Sequence, residues 1–114
     1  MTPLPGNKVR GSASGRPIMA LLDLLGRRWA MRVLWELRGE PLNFRALRER
    51  CGGMSPSVLN QRLAELREAQ LIEAGDAGYV LGAHGRALLE HFAPLNRWAE
   101  GWAAALPRAG RKRS

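Results

Sequence analysis

Ser57, Asn60, Gln61 and Ala64 fall at helical spacing on one face of the stretch Met54-Ser55-Pro56-Ser57-Val58-Leu59-Asn60-Gln61-Arg62-Leu63-Ala64-Glu65-Leu66-Arg67. Leu59, Leu63 and Leu66 line the opposite face. A solvated helix face usually carries Glu and Lys. This one offers short side chains and amides, groups that lie close to a base edge and hydrogen-bond it in pairs. Arg45, Arg48, Arg62 and Arg67 stand in and just before the stretch, where guanidinium groups can meet phosphate. Arg62 lies at the edge of the polar face and either pairs with Glu65 or reaches a phosphate.

Other chemistries find little support. His84 and His91 are seven apart, with no Cys or acidic cluster to complete a metal set. The chain has no Gly-rich phosphate loop, nucleophile elbow or paired-carboxylate arrangement. The expectation is therefore a protein that is not an enzyme and holds no metal or cofactor. The four Trp admit a small hydrophobic effector in an aromatic cleft, or simple core and dimer packing.

The elements that would position the polar face can be read around it. Ser55 is a helix cap and Pro56 is harmless at the first helical position, which predicts a recognition helix over about 55–69. Asn43 is a plausible cap for a preceding helix, Phe44 to Cys51, whose buried face holds Phe44, Leu47 and Cys51. Gly52-Gly53 stops that helix, so helix, tight turn and helix follow one another. Two short β-prone runs, Leu71 to Glu73 and Tyr79 to Leu81, flank a glycine-bounded turn and predict a hairpin.

Upstream, Pro17 opens a first helix closed by Gly26, and Arg27-Arg28-Trp29 is expected to start a second that runs to about Arg38. Two arginines at a helix N-terminus oppose the helix dipole, so either phosphate lies nearby or they are merely solvated. Pro41-Leu42 reads as a turn. Downstream, one long helix is expected from Ala83 to about Leu106, kinked by Pro94, with Leu88, Phe92, Leu95, Ala99, Trp102 and Leu106 as a seam. Ile18, Leu21 and Leu22, with Leu88, Phe92, Leu95, Trp98 and Trp102, exceed what so small a domain needs for its own core. A second subunit would bury the remainder.

A chain of 114 residues fits one domain with a core of its own. The net charge is +8, but seven of the 18 basic residues lie outside 17–106, leaving 11 in the body against all 10 acidic residues. Residues 1–15 are read as a flexible basic tail, 16–106 as the domain and 107–114 as a second basic tail. Within the body, residues 17–70 carry 9 basic and 6 acidic groups, and residues 71–106 carry 2 and 4. Basic character thus sits with the recognition helix and the ends, as binding to a polyanion requires, although solubility alone would also explain it. One Cys allows no internal disulfide and suits a reducing cytoplasm. No apolar run approaches a membrane span.

The runs Ala20 to Trp29, Leu34 to Leu37, Phe44 to Leu47, Met54 to Leu63 and Glu65-Leu66, together with Gly85 to Leu89, resemble the HxlR-type winged-helix transcriptional regulators. The likeness spans roughly residues 16–103. It implies a mainly α fold with a small β-hairpin, a winged helix-turn-helix with N- and C-terminal dimerisation helices. It also implies a homodimer on a pseudo-palindromic operator in double-stranded DNA. By resemblance, Ser55, Ser57, Asn60, Gln61 and Arg62 match the family's DNA-facing positions and Arg45 a phosphate-facing one. Arg28, Asn43, Arg48 and Arg67 complete the expected surface. Two departures stand out. Arg16 occupies the place where many members carry a cysteine, in some a redox or electrophile sensor, and the hairpin is shorter than the family's wing and lacks its Pro and Arg. The rival expectation is a winged-helix module that binds protein and little DNA.

Overall fold

Two side-chain caps set the helical pair at the centre of the molecule. In the computed structural model, which describes residues 2–6 and 16–107, Asn43 Oδ1 accepts from the Ala46 amide at 2.8 Å. The Ser55 hydroxyl accepts from the Val58 amide at 3.4 Å. Each cap satisfies an amide that the first helical turn leaves without a backbone partner. The helices they open are α3 (Phe44–Arg50) and α4 (Pro56–Glu68). Between them Gly52 and Gly53 take φ of +81° and +78°, and the Gly53 amide returns to the Arg48 carbonyl at 2.9 Å. Two successive left-handed residues turn the chain sharply, and glycine accepts that conformation without a steric penalty.

Upstream lie α1 (Pro17–Leu25) and α2 (Ala30–Glu36). The second helix is shorter than expected at both ends. Trp29 sits at its N-cap with φ of 77°, a left-handed conformation that breaks any helix running through it. Arg27 and Arg28 therefore lie in the turn between α1 and α2 and not in the first turn of a helix. Downstream, β1 (Ile72–Gly75) and β2 (Gly78–Leu81) pair antiparallel, Ile72 opposite Leu81 and Gly75 opposite Gly78, about a two-residue turn. Leu42, expected in a turn, bridges Tyr79 through two backbone bonds of 3.1 and 2.8 Å and so ties the hairpin to the segment before α3.

The expected single C-terminal helix is two, α5 (Ala83–Glu90) and α6 (Phe92–Ala105), separated at His91. Pro94 explains where the break falls. It has no N–H for the Glu90 carbonyl and its ring would clash with that group, so the first helix stops at Glu90. Pro94 then sits in the first turn of α6, where no intrahelical donor is needed.

The core draws on every element except α6. Leu24 of α1, Val33 and Leu34 of α2, Leu47 of α3, Leu59, Leu63 and Leu66 of α4, and Ile72 and Leu81 of the hairpin are all buried together. The helix-turn-helix followed by a hairpin, packed against flanking helices, is a winged helix-turn-helix, as expected. Against expectation, Thr2 and Pro3 are buried against the body; residues 7–15 and 108–114, also expected to be loose, lie outside the described residues.

The backbone contact at Gly85 tolerates no side chain. A Cβ on Gly85 would lie 2.1 Å from the Leu71 carbonyl oxygen, which already accepts the Gly82 amide at 2.9 Å. This is how α5 comes flush against the segment between α4 and β1. Gly85→Ala is expected to cost about 1–3 kcal/mol or more by overpacking, read as a lower urea midpoint with an unchanged slope.

Candidate nucleic-acid interface

The polar face of α4 is presented to solvent as the spacing predicts. Ser57, Asn60, Gln61 and Ala64 are exposed, while Leu59, Leu63 and Leu66 are fully buried. The Ser57 hydroxyl lies 3.1 Å from the Ser55 hydroxyl. Arg67 is also exposed and continues the Asn60 and Ala64 line at helical spacing. The result is a low surface of one hydroxyl and two amides with a cation at its C-terminal end.

The surrounding arginines divide into those available to a ligand and those committed to the protein. Arg45 is 91% exposed, with Glu49 3.9 Å away, an ion pair too open to hold it. Arg28 is exposed, its guanidinium carbon 5.5 Å from the centre of the Trp29 ring. Arg48 is half-buried and donates Nε to the Met54 carbonyl at 2.6 Å. It thus fastens α3 to the loop before α4. Asn43 is exposed, but its carbonyl oxygen is used as the α3 cap.

Arg62 is not part of the exposed polar face of α4. Its side chain is 13% exposed, turned inward so that Nη1 pairs with Glu65 and Nε donates to the Arg28 carbonyl at 2.9 Å. Glu65 is buried and accepts from Arg27 Nη1 through its other oxygen at 2.5 Å. Arg27 in turn lies 3.9 Å from Asp23 on α1. Of the two sequence alternatives for Arg62, the pair with Glu65 is the one formed, because a buried carboxylate needs compensating charge. The i, i+3 spacing of Arg62 and Glu65 signalled that half. The long-range half, Arg27, had no local signal.

The hairpin contributes no cation. From Ile72 to Leu81 it carries Glu73 and Asp76 and no Lys or Arg, so it does not offer phosphate the positive charge that such contacts use. Cys51 is 1% exposed within the core, and burial pushes its thiol pKa up, against the partly offsetting charge of Arg32. His84 in the first turn of α5 and His91 just after its end help to line an apolar cavity of about 370 Å³, whose walls also include Leu4, Leu21, Leu24, Leu71 and Leu88. Among the described residues no cluster of three or more metal-ligating side chains occurs and no helix is long and apolar enough to cross a membrane.

The expected dimerisation residues form an exposed apolar surface. Ile18 and Leu22 of α1 and Leu95, Trp98 and Trp102 of α6 are each more than half exposed. The two indoles stack, their centroids 5.6 Å apart. Leu21, Leu88 and Phe92 are half-buried. No residue of the 14-residue α6 is buried in the single chain.

Comparison with known proteins gives a consistent outcome. The family model described as HxlR-like helix-turn-helix matches residues 24–106. A crystal structure of quinone-bound YodB from B. subtilis is similar at 28% identity and a TM-score of 0.70, covering 74% of this chain and 96% of that one. The structure of a possible HxlR family transcriptional factor from Thermoplasma volcanium GSS1 shares the fold at 24% identity and a TM-score of 0.63, covering 74% and 82%. No curated protein matches.

The inward thiol gives a direct check. In the folded protein Cys51 should react with a thiol reagent at neutral pH far more slowly than a free cysteine, and at the ordinary rate once the protein is unfolded in denaturant.

Proposed function

The chain belongs to the HxlR-like helix-turn-helix family of DNA-binding transcriptional regulators, and from that premise we propose that it acts as a homodimer on a pseudo-palindromic operator. The observation that carries the proposal is the α4 face. Ser57, Asn60 and Gln61 are exposed and short enough to enter a major groove and hydrogen-bond base edges. Arg45, Arg28 and Arg67 supply sequence-independent phosphate attraction. Sequence choice thus rests on three uncharged side chains and affinity on the cations around them.

Dimerisation is supported by α6. A helix of 14 residues with nothing buried is marginal on its own in water, and its Leu95, Trp98 and Trp102 are more than half exposed, as are Ile18 and Leu22 of α1. A second copy of the chain would cover both. A small hydrophobic effector, of the kind the quinone in the YodB structure represents, would find room in the cavity between α1 and α5. Binding there would be non-covalent, since Arg16 stands where a sensor cysteine would be and Cys51 is buried.

Two measurements test this reading. Asn60→Ala with Gln61→Ala should weaken binding to DNA from the protein's own promoter at least tenfold, since each bidentate base contact contributes about 1–3 kcal/mol of discrimination, and leave binding to random duplex unchanged. An equal loss on both would sink the readout assignment. No specific binding at moderate salt together with a stable protein partner would favour the interaction module. Trp98→Glu should convert a sedimenting dimer to monomer at micromolar concentration, and an unchanged sedimentation coefficient would place the dimer surface elsewhere.

A further inference from the structure

Glu65 is the one buried acid of α4, and the proposed readout makes no use of it. Its two oxygens are divided between two arginines, Arg27 from the α1–α2 turn and Arg62 from its own helix. Arg62 is held a second time, by Nε on the Arg28 carbonyl at 2.9 Å. An arginine that directly follows Gln61 is thereby folded down beside the core and kept away from the reading face.

That arrangement has a consequence for discrimination. A long, mobile cation beside the groove would gain affinity from any phosphate it met, whatever the sequence, and would raise random binding along with specific binding. Short uncharged groups do not, because they contribute only where the base edge matches. We infer that Glu65 is a specificity-determining residue: by holding Arg62 inward it keeps the reading face free of a cation and so lowers affinity for random DNA. Glu65 acts through Arg62 and is a positioning residue. Arg27, anchored beside Asp23 on α1, keeps the carboxylate in place by occupying its other oxygen. The inference rests on the DNA-binding reading proposed above.

The test compares Glu65→Gln, Arg62→Gln and the double variant, all as full-length protein, in salt titrations on promoter and random duplex. Glutamine has the size of glutamate but cannot neutralise two guanidinium groups, so Glu65→Gln should release Arg62. The expected result is a steeper dependence of log K on log salt for random DNA, by about 0.9 for each subunit bound, and a smaller ratio of specific to random affinity. Arg62→Gln alone should leave the slope as it is, and the double variant should return to the wild-type slope. A merely structural role for Glu65 would lower stability without adding a cation to the slope. The inference is overturned if Arg62→Gln alone flattens the slope by about 0.9, because Arg62 would then already touch DNA. It is equally overturned if folded Glu65→Gln keeps the wild-type slope. Should Glu65→Gln fail to fold, Arg62→Gln decides the matter alone. Hydrogen exchange at Arg62 Nε, followed by NMR in the protein without DNA, separates the two layers. Slow exchange with no DNA binding by any variant would defeat the functional reading and the role given to Glu65 with it, while rapid exchange with DNA binding intact would defeat the clamp alone.

Discussion

A single buried carboxylate links the parts of this molecule that have to be held in register. Glu65 joins the recognition helix to the α1–α2 turn through Arg27 and secures Arg62 beside the core. Isolated ions in such a place are unfavourable, and removing one member of a buried pair typically costs about 3–5 kcal/mol. The set is therefore held together as a group. The turn between the end of α1 at Leu25 and the left-handed Trp29 that opens α2 makes it possible, with Arg27 half-buried and Arg28 exposed within it. Adjacent arginines thus have opposite fates: one is structural and the other is free to meet a ligand.

Much of this was legible in the residue order, for identifiable reasons. Caps act locally, and Asn43 and Ser55 begin α3 and α4 as their types require. The polar and apolar faces of α4 follow from helical spacing alone. Features set by contacts between distant residues were not legible. Arg27 and Glu65 are 38 positions apart, and nothing near Arg27 in the sequence distinguishes an inward guanidinium from one waiting for phosphate. The same holds for Leu42, whose strand bridge exists only because Tyr79 reaches it. Trp29 is a different case: a left-handed tryptophan is locally unfavourable by about 1–2 kcal/mol, so propensity alone predicts a helix through it. Tertiary packing of the half-buried indole outweighs that preference.

Pro94 does interrupt the helix, but the break falls one turn earlier than a kink at the proline itself would place it. The group that loses its partner is the Glu90 carbonyl, and the chain responds by ending one helix there and starting another. The break separates two kinds of surface. Gly85 of α5 is buried against the Leu71 backbone, whereas α6 contributes nothing to the core and projects its indoles outward. The apolar pattern of the sequence is the same on both sides of His91 and does not distinguish a helix packed on its own domain from one left for a partner.

The uneven charge of the body bears on how the protein arrives at a polyanion as well as on how it stays there. The basic half contains α3 and α4, while the short hairpin carries two carboxylates and no cation. If the protein meets DNA as proposed, the cations of α3 and α4 are attracted and the hairpin carboxylates repelled, a difference felt only within about 8 Å of the surface at physiological ionic strength. Approach by α3 and α4 is then favoured over approach by the hairpin. What the hairpin withholds in contact area it would return as direction of approach.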